Sequence, residues 1–192
     1  MQIPFSAYAD DCTVTGEIEL PADRLSDFLA TAYEFDVAGA AFRALDDGHV
    51  VEMPSTPVLR DDLCVVAATG PRGRADRRVW TREHPVRVRV GPYVVVGYLH
   101  AAPTIDPLKS LERRPVLALT SSVLEYTEAG TPVRVELDAA LVNRAKVEAI
   151  VAATEGDLRL ARGLTIEIPA DSHAKDLTGD AWNAPEPEPG QA

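Results

Sequence analysis

One order of strand-like segments occurs twice along the chain, at a nearly constant spacing. Gly16 matches Gly97 at an offset of 81 residues, and Gly48 matches Gly130 at an offset of 82. Self-similarity at a fixed spacing is the sequence signature of a repeated structural unit. We therefore predict a mainly β fold made by tandem duplication of a small bent-sheet or barrel unit, with one short helix per unit. The two compact units should pack against each other.

One predicted strand in each unit breaks its own alternation at the same place. Side chains of a strand alternate between two faces, so apolar residues of one face lie an even number of positions apart. Phe42 nevertheless comes five residues after Val37, and Leu124 comes five after Leu119. The slips fall at small residues, which are Gly39, Ala40 and Ala41 in the first unit and Ser121 and Ser122 in the second. We expect a β-bulge at both places, bending the strand as a barrel requires.

Turn and helix signals complete each unit. The pairs Asp47-Gly48 and Ala129-Gly130 predict hairpin turns. An acidic residue near the start of residues 22–31 predicts a helix in the first unit. In the second unit, Pro107 suits the first position of a shorter helix over residues 107–113.

We divide the chain into four segments. Residues 1–70 form the first β-rich unit, 71–91 an arginine-rich connecting hairpin, 92–168 the second β-rich unit, and 169–192 an acidic tail. Within the second unit, residues 158–168 include alternating apolar side chains and predict one more strand. The tail is rich in proline, aspartate and glutamate, a composition typical of disordered segments.

The chain is acidic, with 30 acidic and 19 basic residues and a net charge of −11. This balance disfavours generic binding to nucleic acids or anionic membranes. The longest uncharged apolar run, residues 90–105, is too short for a membrane span and contains glycine and proline. Residues 1–11 lack the basic and apolar parts of a signal peptide. We therefore expect a cytoplasmic protein that binds no membrane.

The sequence lacks the residue patterns that carry catalysis or cofactor binding. The glycines of residues 69–74 have neither the spacing nor the Lys-Ser/Thr pair of a phosphate-binding loop. The four histidines show no metal-ligand spacing, and Cys12 and Cys64 lie in apolar runs, as buried free thiols do. We predict no catalytic residue, no cofactor and no metal, and we favour a protein without enzymatic activity.

Arginines are concentrated between the two units. Residues 85–90 alternate apolar and polar positions, which predicts a half-exposed strand with Arg87 and Arg89 on one face. Guanidinium groups bind phosphate through paired hydrogen bonds. The candidate contacts to an anion or a nucleic acid are Arg72, Arg74, Arg77, Arg78, Arg87 and Arg89. We favour the simpler interpretation, an exposed hairpin whose arginines balance nearby acids such as Asp61 and Glu83.

The first unit resembles a bacterial domain of unassigned activity. The likeness rests on Gly16-Glu17-Ile18, Arg24-Leu25-Ser26-Asp27-Phe28-Leu29, Phe35 and Leu63-Cys64-Val65-Val66. That domain carries an Arg-Leu-x-Asp-x-Leu-Asn helix before a strand, and Ala30 stands here in place of the Asn. The second unit has Leu108 and Leu111 but neither the Arg nor the Asp. The whole chain resembles uncharacterised conserved hypothetical proteins of high-GC bacteria, which implies no particular activity.

Each unit also remotely resembles an Sm-like small β-barrel. Such barrels have a glycine-containing first strand, a bent second strand and a closing strand. Val142-Asn143-Arg144, followed by Val147 and Ile150, is similar to the Sm closing motif. The predicted helix follows the first strand, whereas the Sm pattern has a helix before the barrel. The resemblance implies a role in assembly or RNA binding and assigns no binding residue.

These patterns favour a non-catalytic interaction or regulatory accessory protein. Its partner would be another protein or a further copy of the same chain, as a homo-oligomer. The first alternative is binding of a nucleic acid or a phosphate ligand through residues 72–89, which the acidic charge of the chain disfavours. The second alternative is an enzyme whose site lies at the seam between the two units.

Overall fold

A computed structural model describes residues 1–73, 79–104 and 115–163. These ranges contain two helices, α1 (Leu25–Thr31) and α2 (Glu155–Ala161), and neither is long and apolar enough to cross a membrane. The strands are β1 (Gln2–Ala9), β2 (Cys12–Glu19), β3 (Glu34–Ala44), β4 (Val50–Leu59), β5 (Leu63–Ala67), β6 (Arg82–Val90), β7 (Tyr93–Ala101), β8 (Val116–Glu128), β9 (Thr131–Asn143) and β10 (Val147–Ala152).

The ten strands form one continuous sheet, so the two expected units are not separate barrels. The strand order is β10-β6-β7-β8-β9-β5-β1-β2-β3-β4, and each neighbouring pair is antiparallel. The sheet stays open, with β10 at one end and β4 at the other. The predicted mainly β fold is confirmed, and its two halves join edge to edge through β5 and β9.

Each half of the sheet has the same strand order. The first half reads β5-β1-β2-β3-β4 and the second reads β10-β6-β7-β8-β9, with the fifth strand beside the first in both. A short 3-10 turn precedes the fifth strand of each half, Arg60–Asp62 before β5 and Arg144–Lys146 before β10. The N–H of Arg60 donates to the carbonyl of Tyr33, and that of Arg144 to the carbonyl of Pro115, both at 2.9 Å. The halves therefore agree in local detail as well as in topology.

The bend predicted in the first unit is a β-bulge at Gly39. The register between β2 and β3 shifts beside Gly16, and Gly39 has a φ of +57°. A Cβ atom on Gly16 would lie 2.6 Å from a methyl carbon of Val37 and 2.7 Å from the carbonyl oxygen of Ala38. Both distances are too short for a non-bonded contact, so the bulge requires glycine at position 16.

The second half has the same bulge in the same place. The register between β7 and β8 shifts beside Gly97, and Ser121 has a φ of +47°. A Cβ atom on Gly97 would lie 2.8 Å from the Cβ atom of Ser122. The predicted phase slips are therefore confirmed in both halves, and each bulge faces a glycine.

Both predicted hairpin turns are confirmed. Gly48 has a φ of +73° between β3 and β4, while Ala129 and Gly130 have φ values of +46° and +75° between β8 and β9. Two successive residues with positive φ are the mark of a type I′ turn, whose twist suits a hairpin. Glycine adopts positive φ at little cost but alanine does not, so Ala129 holds local strain.

Two large clusters of buried side chains meet at the junction of the halves. The first-half cluster contains Phe5 and Leu29 of α1 but also takes Leu141 from β9. The second-half cluster contains Tyr93 but also takes Tyr8 from β1 and Cys64 and Val65 from β5. A small third cluster lies where Leu158, Val96, Val123 and Ala161 pack together under α2. Because the main clusters exchange residues across the junction, the halves share a continuous core.

Three elements differ from the sequence-based expectation or extend it. β1 was not predicted as a strand, although its alternating Ile3, Phe5 and Ala7 are all buried. The predicted helix of the first unit begins at Leu25 rather than at residue 22. β6, which falls within the proposed connecting hairpin of residues 71–91, pairs with β7 and β10 and is the first strand of the second half.

The prediction of a strand over residues 158–168 is wrong for residues 158–161, which belong to α2. The side chain of Thr154 accepts the N–H of Asp157 at 3.1 Å, and the carboxylate of Asp157 accepts the N–H of Thr154 at 2.7 Å. This reciprocal pair is a capping box and fixes the start of the helix. Residues 164–168, the helix predicted over 107–113 and the tail 169–192 lie outside the described residues.

Candidate functional site

The seam between the halves is a strand pair. Val65, Val66 and Ala67 of β5 lie opposite Val142, Leu141 and Ala140 of β9, and all six side chains are buried. The N–H of Ala68 donates to the carbonyl of Ala139 at 2.8 Å and extends the pairing. Bonded pairs alternate along an antiparallel ladder, so Val66 and Leu141 form the next bonded pair. The fifth strand of the first half thus forms backbone hydrogen bonds with a strand of the other half.

Hydrogen bonds from side chains at the seam reinforce this pairing. Lys146 donates to one carboxylate oxygen of Asp10, and the thiol of Cys64 lies 3.0 Å from the other. The amide of Asn143 donates to the carbonyl of Leu63 at 3.0 Å. Burial, followed by the bond to Asp10, raises the pKa of Cys64 to about 12. A thiol with so high a pKa stays protonated near neutral pH.

Three tyrosines close one end of the seam. The hydroxyl of Tyr93 in the second half donates to the carbonyl of Ala9 in the first, at 2.6 Å. Tyr8, Tyr93 and Tyr126 make edge-to-face contacts, with ring centroids 5.6 to 5.8 Å apart. Burial raises the pKa of Tyr8 to about 12, with Tyr126 as a smaller cause. The cluster thus stabilises the contact between the two halves through aromatic packing and one short hydrogen bond.

The described arginines of the predicted anion site lie in two separate places. Arg72 bonds to Asp138 of β9 at 2.7 Å, with both side chains largely exposed. Arg89 bonds to Glu148 of β10 at 3.0 Å, and Arg87 lies exposed on the same face of β6, as predicted. Their carboxylate partners come from β9 and β10, which three strands separate in the sheet. Of the predicted site, Arg74, Arg77 and Arg78 lie outside the described residues.

A cavity of about 530 Å³ opens at the seam, beside Arg72. Its charged and titratable lining residues are Arg24, Arg72, Glu83, His100 and Asp138. The ring nitrogens of His100 bond to the hydroxyls of Thr81, at 3.2 Å, and Thr120, at 2.7 Å. Two arginines and two carboxylates leave the lining nearly balanced in charge, so the cavity shows no clear preference for an anion.

The end strand β10 resembles the seam strand β5, but within the described residues it has no strand in the place that β9 occupies beside β5. Ile150 and Val151 follow a bulge at Glu148, as Val66 and Ala67 follow one at Cys64. Val66 and Ala67 are 4% and 6% exposed, but Val151 is 51% exposed. The corresponding position is therefore covered at the seam and uncovered at the end of the sheet.

The backbone of β10 also directs hydrogen-bonding groups outward. The N–H of Ala153 donates to the carbonyl of Pro85 in β6 at 2.9 Å. Because bonding alternates along the strand, Val151 bonds to β6 while Ile150 and Ala152 direct their N–H and C=O groups away from it. Across residues 1–73, 79–104 and 115–163, no strand pairs with this side of β10.

The opposite end of the sheet, β4, is exposed but carries proline at a decisive position. Pro57 lies opposite Asp36, three residues before the bulge at Gly39, and Leu141 lies opposite Ala118, three before the bulge at Ser121. Pro57 therefore corresponds to Leu141, whose N–H bonds across the seam. Proline has no N–H, and natural sheets use it to block pairing at an edge. The two ends of the sheet differ in their capacity to bind a strand.

Sequence reasoning missed both edges. The apolar composition of β10 is the same as that of a buried strand, so it gave no sign that Ile150 and Val151 lie at an end. Pro57 did carry a signal, because proline inside a strand pattern indicates an edge. Comparison of the chain with family models, curated proteins and solved structures finds no significant match. The function is therefore inferred from the seam and the two edges.

Proposed function

We propose that this protein is a non-catalytic interaction module of the cytoplasm, with a regulatory or accessory role, that binds a protein chain along β10. The observation that carries the proposal is the outer side of that strand. It combines outward backbone groups at Ile150 and Ala152 with an apolar side chain, Val151, that is 51% exposed. An edge of this kind binds an extended segment by strand addition, in which backbone hydrogen bonds supply affinity.

Tandem duplication accounts for the presence of this edge. If both halves descend from one five-stranded unit, the fifth strand of each inherits the capacity to receive a neighbour. β5 uses that capacity inside the chain, where it pairs with β9, and β10 keeps it at the outer end. The shared strand order and the matched bulges support this origin. The bent strands and the closing strand after a 3-10 turn are also consistent with the proposed Sm-like character of each half.

Anion or nucleic-acid binding through residues 72–89 is the weaker proposal. Arg72 and Arg89 already bond to carboxylates, and an anion would have to displace Asp138 or Glu148. An enzymatic site at the seam is weaker still, because both ring nitrogens of His100 bond to threonine hydroxyls and Cys64 is held protonated. Neither position presents an activated nucleophile beside a general base.

The proposal is tested by affinity capture from a lysate of the source organism. The baits are the tagged full chain, its Val151→Lys variant, and a matched Val51→Lys variant on β4, where Val51 is 42% exposed. We expect specific proteins to be recovered with the full chain and with Val51→Lys but lost with Val151→Lys, because an edge lysine opposes strand addition. Equal recovery with all three baits, or turnover of a metabolite that His100→Ala abolishes, would overturn the proposal.

A further inference from the structure

We infer that a second copy of this chain pairs with the β10 edge, strand to strand, about a twofold axis beside Ile150. The inference rests on the proposed function and names the partner of that edge. Closed twofold dimers are the commonest oligomers of soluble proteins, and they require a surface that complements itself. The outer side of β10 meets this requirement, as its register and charges show.

The other arrangement of two copies, β10 against β4, would repeat the internal seam but lacks its bonds. Pro57 stands at the position that corresponds to Leu141 and has no N–H. The central bonded pair would therefore lose one hydrogen bond. At one end of the pairing, Gly91 takes the place of Asp10 in the turn after the first strand, and Asp62 takes that of Lys146 in the 3-10 turn. The ion pair of the seam therefore has no counterpart, and head-to-tail assembly is disfavoured.

Antiparallel pairing of β10 with itself satisfies its outward groups. Ile150 directs its N–H and C=O away from β6, so the two copies of Ile150, one on each side of the axis, form a bonded pair. Ala149 of one copy then lies opposite Val151 of the other, which covers the exposed valine with an apolar neighbour. Glu148 lies opposite Ala152 and keeps its bond to Arg89, so no like charges face each other.

α2 leaves this edge open. The helix begins three residues after β10 and packs through Leu158 on Val96 and Val123, which belong to β7 and β8. Its end is tied to the same part of the sheet, since Arg134 of β9 donates to the carbonyl of Leu160 at 3.3 Å. Within the described residues, the helix therefore covers a face of the second half rather than the edge of β10.

Sedimentation of the full chain over a concentration series tests the association, and salt should be near physiological because each copy carries a net charge of −11. We expect a reversible monomer–dimer equilibrium. Val151 is 51% exposed, so we expect Val151→Lys to fold and to weaken dimerisation about tenfold or more. The matched variant Val51→Lys should dimerise like the unmodified chain. A monomer at all concentrations, or a dimer insensitive to Val151→Lys, would overturn the inference.

Disulfide trapping tests the register. In the proposed dimer, Ala149→Cys in one copy lies directly opposite Val151→Cys in the other, at a non-hydrogen-bonded pair within reach of a disulfide. Identical variants place their new cysteines diagonally, at about 7 Å or more, too far for a bond. We expect cross-linked dimers when the two variants are mixed and oxidised, and few when either is oxidised alone, as in the unmodified chain with Cys12 and Cys64. Equal cross-linking of single variants would overturn the register.

The experiments separate failure of this inference from failure of the proposed function. The chain could stay monomeric in sedimentation and still lose a captured protein in the Val151→Lys variant. That result would show that β10 binds a different partner, and it would overturn only the inference of self-pairing. A monomeric chain whose captured proteins do not depend on Val151 would overturn both.

Discussion

At the scale of residues, two glycines set the curvature of the sheet. Gly16 and Gly97 each face a bulge, and each leaves space that a Cβ atom would fill at 2.6 to 2.8 Å from its nearest neighbour. The contact at Gly16 includes the backbone carbonyl of Ala38, which can move only if the backbone of the bulge also changes. The bend is therefore a steric requirement placed on one residue in each half.

We predict that Gly16→Ala destabilises the protein by about 1–3 kcal/mol, because overpacking of this size forces backbone shifts. Thr15→Ala, at an exposed position beside it, is the control and should change the free energy of unfolding by about 0.5 kcal/mol or less. Urea denaturation of both variants gives the comparison. Equal stability of Gly16→Ala and the unmodified chain would show that the bulge tolerates a side chain.

The ion pair between Asp10 and Lys146 makes stability depend on pH. Hydrogen bonds from Lys146 and Cys64 hold the pKa of Asp10 below its ordinary value. A carboxyl whose pKa is lower when folded stabilises the protein above its unfolded pKa, about 3.9, and loses that contribution as the pH falls through the folded value. The carboxylate is 62% exposed, so screening limits the effect to about 1 kcal/mol or less.

Asp10→Asn should therefore lower the free energy of unfolding near neutral pH by up to about 1 kcal/mol, and the difference should shrink as the pH falls below about 4. Urea denaturation at several pH values measures this trend. Asp36→Asn, at an exposed position on β3, is the control for the loss of one negative charge. A difference that stayed constant down to acid pH would mean that Asp10 contributes through packing rather than through its charge.

At the scale of elements, α2 depends on its first turn and on one buried side chain. The capping box of Thr154 and Asp157 fixes its start, and Leu158, 1% exposed, packs it against the sheet. Thr154→Ala should destabilise the protein by about 1 kcal/mol, as loss of an N-cap does. Arg159→Ala, in the same helix without a capping role, should leave thermal stability nearly unchanged. A similar loss in both variants would mean that helix propensity, not the cap, controls α2.

Local patterns predicted several elements, and their physical basis explains the successes. The phase slips at Gly39 and Ser121 and both hairpin turns were predicted because each depends on neighbouring residues in the chain. The start of α2 was missed even though Thr154 and Asp157 have capping-box spacing, since Gly156 between them favours a turn. β1 was missed although Ile3, Phe5 and Ala7 alternate clearly. In both cases the signal was present but short.

At the scale of the whole molecule, the seam and the edges could not be predicted from the sequence. β5 and β10 have similar apolar composition, yet one lies at the centre of the sheet and the other at its end. Which strand joins β5 depends on contacts between residues far apart in the chain, such as Asn143 with Leu63 and Lys146 with Asp10. Periodicity identifies strands but not their neighbours, so the candidate site emerged only from the strand order.

The central claim is that β10 is a binding edge, equivalent to β5 but without a partner strand on its outer side among residues 1–73, 79–104 and 115–163. Amide hydrogen exchange tests it most directly, because the amides of Val66 and Ile150 hold equivalent positions. We predict that the Val66 amide exchanges slowly at every protein concentration, whereas the Ile150 amide exchanges fast in dilute solution and more slowly as concentration rises. An Ile150 amide that exchanges fast and unchanged across the concentration range would contradict self-pairing at β10, and one protected even in dilute solution would contradict a free edge.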